Sequence, residues 1–308
     1  MKTTKLKFLA FFLFILVSFT NSFAQGCSDA GFCSVGNGFK GHEVDLKNSV
    51  DIGVVYGIAE EGVTVFSQYL TYTRDVTDKF AISAKLTSAI ANGDFGTRGN
   101  IGDAFLTGNY KFKNKFSDLE GAKTWSLLFG VKIPLTSSND KINNVSLPMA
   151  YQASLGTFDF IGGVNLTYKK WDFNTAVQIP LSDNKNSYIS NFFVTDKYAT
   201  TNLFERKSDV LFRTTYRIKT KNEKFTFKPN ALFIYHLGED SFQNIYGQRE
   251  TIVGSDGLTI NGNIIVSYKL NKKSYLETSI ASPFVVRKER PDGLTRALTL
   301  GLSYKVNF

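Results

Sequence analysis

Charged side chains recur at alternating positions of several segments, on the face opposite a row of apolar residues. The basic ones are Lys85, Lys132, Arg213, Arg217, Lys228 and Arg296, and the acidic ones are Asp103, Asp172 and Glu277. Rings of Lys and Arg around a water-filled lumen favour anions. The same side chains could instead pair with the acidic residues inside a closed lumen, or simply be solvated, and the sequence leaves these alternatives open.

His236 is the residue best placed for acid–base chemistry. It ends a candidate strand, and its parity directs it inward, so we expect it to line the lumen near one mouth. A lipase of this architecture would need a nucleophilic Ser beside the His on the outer face. A protease would need acidic partners, but Glu239 and Asp240 are adjacent loop charges that we expect to be solvated. The sequence therefore predicts no enzyme activity and no cofactor.

Two cysteines, Cys27 and Cys33, lie close together near the start of the chain. Two Cys in an exported protein indicate a disulfide. A metal site would need three or four ligands, and Asp29 and His42 are the nearby candidates. We predict a disulfide and no metal. Lipid attachment to Cys27 is the less favoured alternative, because the three residues before it form a poor lipobox.

Residues 1–24 have the composition of a secretory signal peptide. Three lysines precede the apolar stretch "FLAFFLFILVSF", and Ser22 and Ala24 supply the small residues of a peptidase site. A spanning helix needs roughly 20 apolar residues, more than this stretch offers. The sequence predicts export with cleavage after Ala24. No later apolar run approaches the length of a spanning helix, which leaves a soluble exported protein or a membrane β-barrel.

The composition is rich in aromatic residues that suit strands and membrane interfaces. The chain has 28 Phe and 14 Tyr against 2 Trp, while its hydrophobic fraction of 43% is ordinary for a globular protein. Strands and membrane interfaces both favour Phe and Tyr. The net charge of +9 is spread over strands and turns without a basic run. We therefore expect no nucleic-acid partner, and we expect the turn lysines to stay hydrated at a membrane edge.

Twelve segments alternate apolar and polar residues with a period of two, which is typical of strands with one apolar face. They lie at 50–58, 63–74, 80–90, 104–112, 125–135, 158–168, 173–181, 210–218, 225–235, 258–270, 276–286 and 298–308. The two faces of the second segment cannot be distinguished. Most globular strands have about five or six residues. These segments are long enough for tilted strands that cross a bilayer.

The connections between these segments alternate between short and long, with the exception of "KNKFSDLEGA" after the fourth segment, which is long where a short one is expected. Those after the third, fifth, seventh and ninth segments are longer and rich in Gly, Asn, Ser and Asp, and they include 136–152 and 183–206. Tight turns at one end and long loops at the other are typical of outer-membrane barrels. A β-sandwich also has apolar faces, but it uses shorter strands. A spanning sheet must close to satisfy its backbone groups. We therefore predict an all-β fold: a transmembrane antiparallel up-and-down β-barrel of about 12 strands at 44–308, preceded by a periplasmic segment at 25–43.

The chain ends in "RALTLGLSYKVNF", whose large apolar residues occupy every second position. They include Leu300, Leu302, Tyr304, Val306 and Phe308. This ending resembles the C-terminal signal of outer-membrane β-barrel proteins, which the barrel-assembly machinery reads. The resemblance implies that machinery as a partner. Alternatively, Phe308 only anchors an aromatic girdle. Both interpretations place Phe308 at the periplasmic rim.

Four short motifs occur in a characteristic order. They are Gly102-Asp103, Tyr110-Lys111-Phe112, Lys132-Ile133-Pro134 and Leu155-Gly156-Thr157. In this order the chain resembles the outer-membrane transporter family named for the meta-pathway of phenol degradation. It departs from the family after Pro134, where Leu135-Thr136-Ser137 stands in place of the usual Thr-Gly. The resemblance implies a 12-stranded type of barrel that moves small aromatic compounds, and it brings no catalytic residues.

These observations favour a passive pore or small-molecule transporter in the outer membrane of a Gram-negative bacterium, in contact with outer-membrane lipid. Anions and aromatic compounds are the candidate solutes. Barrels of eight strands are filled by side chains and those of sixteen hold channels, so we expect a narrow or loop-plugged lumen. The alternative is a structural or partner-docking protein that uses the Cys-bearing segment. An outer-membrane hydrolase is the least favoured hypothesis.

Overall fold

The computed structural model describes residues 47–112, 123–190, 197–294 and 297–308, and these form a single closed β-barrel. The barrel strands are β1 (Asn48–Ile58), β2 (Thr64–Asp75), β3 (Phe80–Gly93), β4 (Gly96–Phe112), β5 (Lys123–Pro134), β6 (Asp159–Tyr168), β7 (Trp171–Pro180), β8 (Asp209–Tyr216, continued by Ile218–Lys219), β9 (Phe225–His236), β10 (Gly257–Lys269), β11 (Ser274–Val285) and β12 (Leu298–Asn307).

Each strand pairs antiparallel with its neighbours in the chain, and β1 pairs with β12 to close the sheet. The closing register runs from Ser49 opposite Asn307 to Ile58 opposite Leu298. Closure leaves no strand edge unpaired along the wall of the barrel. The predicted antiparallel barrel of 12 strands is confirmed.

Side chains alternate between an apolar outer surface and a polar interior. Ile52, Leu106, Phe129 and Phe160 are among the large apolar residues exposed on the outer surface. The alternation also settles the faces of β2, which the sequence left undecided. Phe66, Leu70 and Tyr72 point outward, while Thr71 and Thr73 line the interior.

The two ends of the barrel differ in the length of their connections. At one end, here called the turn end, β1 begins and β12 ends, and the backbone N–H of Asn48 donates to the carbonyl of Phe308 at 3.0 Å. The opposite end, here called the loop end, carries the long connections, whose described residues are 135–158, 181–190, 197–208, 237–256, 286–294 and 297. Two of them contain short hairpins, at Lys141–Ile142 with Val145–Ser146 and at Ser241–Gln243 with Arg249–Thr251.

The connection between β3 and β4 is shorter than the sequence indicated. Residues 92–100 were expected to form a long loop, but most of them extend the two strands. Gly93 pairs with Gly96 across a two-residue turn. Gly96 has φ +101°, in the region that favours glycine. The turn glycines, and not the polar composition, decided the length of this connection.

The described residues of the long connections fold back over the loop end into a packed layer, here called the cap. Leu147, Tyr151 and Leu155 of the β5–β6 connection and Phe204 of the β7–β8 connection are almost fully buried. A 3₁₀ turn at Met149–Tyr151 is part of this layer. In the described ranges, no helix combines the length and hydropathy needed to cross a membrane.

Candidate functional site

The barrel interior holds a polar cavity of about 480 Å³ to which all twelve strands contribute side chains. Basic side chains outnumber acidic ones in its lining by nine to four. Several of the basic residues belong to strand ends and turns at the turn end, including Lys111, Lys219, Lys224 and Lys269. This mouth of the barrel is therefore positively charged.

A second cavity, of about 270 Å³, lies between the first cavity and the cap. Its lining includes the cap residues Met149, Gln152 and Ser154. Six residues line both cavities and define what we call the shared ring. They are Lys85, Phe105, Arg213, Ile265, Glu277 and Ser303. The two cavities meet at this ring, which presents two cations, one carboxylate and two apolar side chains.

Two of the acidic residues in the wall of the larger cavity form ion pairs. Arg217 Nε lies 2.9 Å from Asp172 Oδ2, and Lys228 Nζ lies 3.1 Å from Glu277 Oε2. Ser267 also donates to Glu277, at 2.5 Å. Each pair neutralises one acid with one base, so pairing leaves the basic excess of the lining in place.

Lys85 is held at the shared ring by an aromatic side chain of β2. Its Nζ lies 4.2 Å from the centre of the Tyr69 ring. A cation over an aromatic face is attracted by the ring quadrupole. The contact fixes the ammonium group near the middle of the lumen instead of at a mouth.

Lys132 points into the barrel as predicted but does not line either cavity. Its Nζ lies 2.9 Å from Asp159 Oδ2, and both side chains are 0% exposed. Lys132 also donates to Thr157 Oγ1 at 3.1 Å, and Gln178 donates to Asp159 at 2.5 Å. Buried charges require such complete pairing. Lys132 therefore anchors the end of the β5–β6 connection and does not face a solute.

Three of the four motifs that carried the family resemblance converge at this anchor, while Tyr110-Lys111-Phe112 lies at the turn end of β4. A β-bulge in β4 lies at Gly102 and Asp103, where Thr87 accepts from the Asp103 backbone N–H at 2.8 Å. Ser154 of the β5–β6 connection donates to Asp103 Oδ1 at 2.6 Å. A Cβ at Gly102 would lie 2.7 Å from the Ala153 carbonyl oxygen. The bulge, together with the absence of a Cβ at Gly102, therefore leaves space for the β5–β6 connection to pack inside the barrel.

One part of the cap, here called the aromatic side, is built around Phe95. Its ring centre lies 5.6 Å from that of Tyr151, 6.0 Å from Tyr188 and 5.7 Å from Tyr198. The Phe95 backbone N–H donates to Tyr151 Oη at 3.1 Å. Burial raises the pKa of Tyr151, and burial together with Tyr151 raises the pKa of Tyr198. Both phenols therefore stay neutral over the physiological range.

Asn186 joins the β5–β6 and β7–β8 connections beneath these rings. Its Nδ2 donates to the carbonyls of Ser138 at 2.9 Å and Leu147 at 3.0 Å. Its Oδ1 accepts from the Tyr188 backbone N–H and from Thr201 Oγ1, both at 2.9 Å. The side chain is fully buried. A single amide thus orders two loops by using all of its hydrogen-bonding capacity.

The other part of the cap, here called the charged side, is a buried cluster of six ionisable residues. They are Arg206, Asp209, His236, Asp240, Arg287 and Asp292. His236 lies at its centre, with Nδ1 2.6 Å from Asp209 Oδ1 and Nε2 2.8 Å from Asp240 Oδ1. Asp240 also accepts from the Lys207 backbone N–H at 2.9 Å. Asp240 was expected to be solvated and is instead fully buried, because His236 and the loop backbone enclose it.

Two arginines complete the charged side. Arg206 contacts Asp209 Oδ2 at 2.5 Å and Asp292 Oδ2 at 3.3 Å. Arg287 contacts the same oxygen of Asp292 at 2.8 Å. Burial alone would raise the pKa of Asp292, but Arg287 and Arg206 hold it below its ordinary value. The cluster therefore ties the β7–β8, β9–β10 and β11–β12 connections together.

Gly293 joins the charged side to the β5–β6 connection. It has φ +64°, and a Cβ there would lie 2.4 Å from the Ala150 backbone nitrogen. Asp292, its neighbour, belongs to the charged side, and Ala150 precedes Tyr151 of the aromatic side. The two sides of the cap meet through this close backbone approach, which requires glycine.

The predicted lumen residues fall into three groups. Those that line a cavity are Lys85, Asp103, Asp172, Arg213, Arg217, Lys228 and Glu277. Lys132 and His236 point inward but are buried in ion pairs, a correction to their predicted place in the lining. Arg296 and the predicted disulfide of Cys27 and Cys33 lie outside the described residues, as does the predicted signal peptide.

The residues of the proposed assembly signal occupy the outer surface of β12. Leu300, Leu302 and Tyr304 are exposed there, and Val306 pairs with Val50 of β1. Phe308 is 51% exposed at the turn end. The arrangement presents the apolar row to the surroundings of the barrel, and recognition by an assembly machinery stays a prediction.

Sequence reasoning missed Arg206, Arg287, Asp292 and Tyr151. All four lie in connections outside the alternating segments, where the sequence offered no periodicity from which to predict burial. The available signal was weak: Arg206 precedes Asp209 by three residues, and Arg287 precedes Asp292 by five. Within the described ranges, no group of three or more His, Cys, Asp or Glu side chains is arranged to hold a metal ion.

Comparison with known proteins connects the chain to outer-membrane barrels at the level of fold. No family model matches the sequence, and no curated protein sequence matches it. The structure is similar to an outer membrane channel from Pseudomonas putida F1, with a TM-score of 0.58 and 12% identity over 87% of this chain and 100% of that one. This likeness supports the barrel fold alone.

Two more distant similarities have lower scores. The NanC porin aligns with a TM-score of 0.45 and 11% identity over 85% of this chain and 98% of its own. The translocator domain of the autotransporter NalP from Neisseria meningitidis gives 0.46 and 8% over 90% and 93%. The resemblance to the phenol meta-pathway family therefore stays a prediction.

Proposed function

We propose that this protein is an outer-membrane pore that lets small solutes pass and prefers anions. The observation that carries the proposal is the polar cavity of about 480 Å³ inside a closed barrel, with nine basic and four acidic side chains in its lining. A lumen wall with excess positive charge attracts anions and repels cations. The cap at the loop end and the shared ring are the narrow parts through which a solute would pass.

The outer surface supports a membrane location. Its apolar residues face outward all round the barrel, and aromatic clusters lie near the turn end, such as Trp171 with Tyr216 at 4.7 Å and Phe225 with Tyr268 at 4.7 Å between ring centres. Aromatic girdles of this kind flank the apolar band of outer-membrane barrels. We propose further that the protein is exported, that residues 1–24 are removed, and that outer-membrane lipid surrounds the barrel. The assembly machinery would recognise the outer surface of β12.

Aromatic solutes are the second candidate class, suggested by the family resemblance. Phe105 and Ile265 supply apolar surface at the shared ring, next to Lys85 and Arg213. A small aromatic compound that carries a carboxylate would satisfy both kinds of side chain there. The bilayer experiment that tests the anion preference also distinguishes inorganic anions from aromatic ones.

Ion selectivity in planar lipid bilayers tests the proposal. Under a potassium chloride gradient, we expect a reversal potential that indicates chloride preference. Replacing the lining residues Lys219, Lys224 and Lys269 together by Gln should move the reversal potential toward cation preference. The matched control replaces Lys79, Lys272 and Lys273, which lie at the same end outside the lining.

Cation preference in the wild type, or equal effects of the two triple variants, would contradict the proposal. Competition between chloride and benzoate in the same bilayers would separate the two solute classes. If the reconstituted wild type never conducted, a second function would be favoured, that of a structural or docking protein. The packed cap over the lumen is the observation that supports this alternative. A hydrolase is disfavoured because carboxylates occupy both ring nitrogens of His236.

A further inference from the structure

The hydrogen bonds of His236 specify its protonation state. Nδ1 faces Asp209 Oδ1 at 2.6 Å and Nε2 faces Asp240 Oδ1 at 2.8 Å. An ionised carboxylate can only accept a hydrogen bond, so each ring nitrogen must donate. Both nitrogens carry hydrogen only in the imidazolium form. The geometry therefore fits a positively charged His236.

A charged His236 makes the cluster electrically neutral. Arg206, Arg287 and His236 supply three positive charges, and Asp209, Asp240 and Asp292 supply three negative ones. All six side chains are buried. Loss of the imidazolium proton would leave three buried carboxylates with two guanidinium groups. One carboxylate of the Asp209–His236–Asp240 row would then face a ring lone pair without a donor.

The positions of these residues connect the proton to the cap. Arg206 and Asp240 belong to the β7–β8 and β9–β10 connections, and Arg287 and Asp292 to the β11–β12 connection. Arg287 Nη1 also donates to the Ser255 carbonyl at 2.5 Å. Weakening the cluster therefore loosens three connections together.

We propose that His236 is the proton-operated latch of the cap: its protonated form holds the cap closed over the lumen, and loss of the proton at alkaline pH releases it. The inference rests on the proposed pore function, because it describes how that pore is regulated.

The sign of the pH dependence follows from the other charged groups around the imidazole. Asp209 faces it from β8, Asp240 from the β9–β10 connection, and Arg206 from the β7–β8 connection, with Arg287 and Asp292 behind them. Glu205 and Lys207 pair with each other at 2.6 Å nearer the solvent. The two arginines keep the pKa of Asp292 below its ordinary value, so mild acid leaves the cluster charged. The cap is stable on the acid side and loosens as the pH rises.

Channel opening in planar bilayers from neutral to alkaline pH gives the first test, since loss of the His236 proton is the event proposed to release the cap. The open probability of the wild type should rise by up to about tenfold per pH unit, the limit for one titrating proton. His236→Gln leaves the cluster one positive charge short at every pH, so it should open more and show no pH dependence.

A second variant separates a latch from simple damage to the cap. Asp240→Asn removes one negative charge and supplies an amide that can donate to a neutral imidazole. The cluster then stays balanced after His236 loses its proton, so this variant should remain closed at alkaline pH. Glu250→Gln, in the exposed hairpin of the same connection, is the control and should behave like the wild type. Alkaline opening of Asp240→Asn equal to that of the wild type would overturn the latch.

Two readouts do not depend on conduction. In a His42→Gln background, His236 is the remaining imidazole of the chain, and its NMR signals should show the charged form at neutral pH. Hydrogen exchange of peptides 237–256 and 286–294 should accelerate at alkaline pH after correction for the intrinsic rate, while peptide 145–155 should not. A neutral ring at about pH 6, or equal acceleration in all three peptides, would overturn the latch. A chain that never conducts would refute the pore, while these readouts would still decide the latch.

Discussion

The two sides of the cap solve the same packing problem with different chemistry. On the aromatic side, Phe95 and three tyrosines bury apolar surface. On the charged side, six ionisable residues compensate one another in the same layer of the molecule. Burial of apolar groups stabilises without dependence on pH, because these groups carry no titrating proton. A buried ion cluster gains little net stability, because desolvation opposes the attraction.

This difference assigns the two sides different roles. The aromatic side supplies stability that changes little with conditions. The charged side contributes stability only while every member carries its charge, which makes it sensitive to one proton. Burying such a polar network costs desolvation free energy, and these networks often select one conformation without adding to its stability. A cap that is firm on one side and conditional on the other can open without unfolding the barrel.

The largest expected effect comes from removing one charge of the charged side. Asp292→Ala leaves Arg206 and Arg287 buried without their shared carboxylate. We expect the free energy of local opening to fall by about 3–5 kcal/mol. Hydrogen exchange of residues 286–294 measures it. Asp183→Ala, at an exposed aspartate of the neighbouring connection, is the control, and protection equal to the wild type in Asp292→Ala would contradict the role of the cluster.

A somewhat smaller and pH-independent effect is expected on the aromatic side. Tyr151→Ala removes a ring that packs against Phe95 and Tyr198. The resulting cavity should lower the free energy of opening of residues 145–155 by about 3 kcal/mol. Tyr151→Phe keeps the ring and loses the bond from the Phe95 N–H, at about 1 kcal/mol. An effect of Tyr151→Ala that varied between neutral and alkaline pH would erase the distinction between the two sides.

The smallest effect concerns the junction of the two sides. Gly293→Ala adds a Cβ against the Ala150 backbone, so both sides should loosen together by about 1–3 kcal/mol. Gly62→Ala is the matched control, because Gly62 has a similar φ of +74° with nothing within 4 Å of its Cβ position. Hydrogen exchange of both sides measures the coupling. Loosening confined to residues 286–294 would show that the sides are independent.

The barrel was predictable because its signal is local and repetitive. Rows such as Trp125, Leu127 and Phe129 show the period of two that a strand with one apolar face must have. The extent of β3 and β4 was harder to predict, because Gly93 and Gly96 end the strands with a two-residue turn inside a polar stretch. The faces of β2 needed the register, since Tyr69 inside and Tyr72 outside are alike in sequence.

The cap was not predictable from composition. Asp240 and Asp292 are buried only because loops distant in sequence bring Arg206, Arg287 and His236 to them. A loop rich in polar residues has the same composition whether its polar groups form hydrogen bonds with water or with other loops. The predicted direction of His236 followed from strand parity, whereas its burial depended on these long-range contacts.

The register between β1 and β12 also bears on how the molecule comes to be folded. Ser49 meets Asn307 and Ile58 meets Leu298, so this ladder joins opposite ends of the described chain. Hairpins such as β6 with β7 can form early from near neighbours, but the β1–β12 ladder must await an ordering of nearly the whole polypeptide. Folding rates fall as contacts become less local. Formation of this seam is therefore expected to be late and slow.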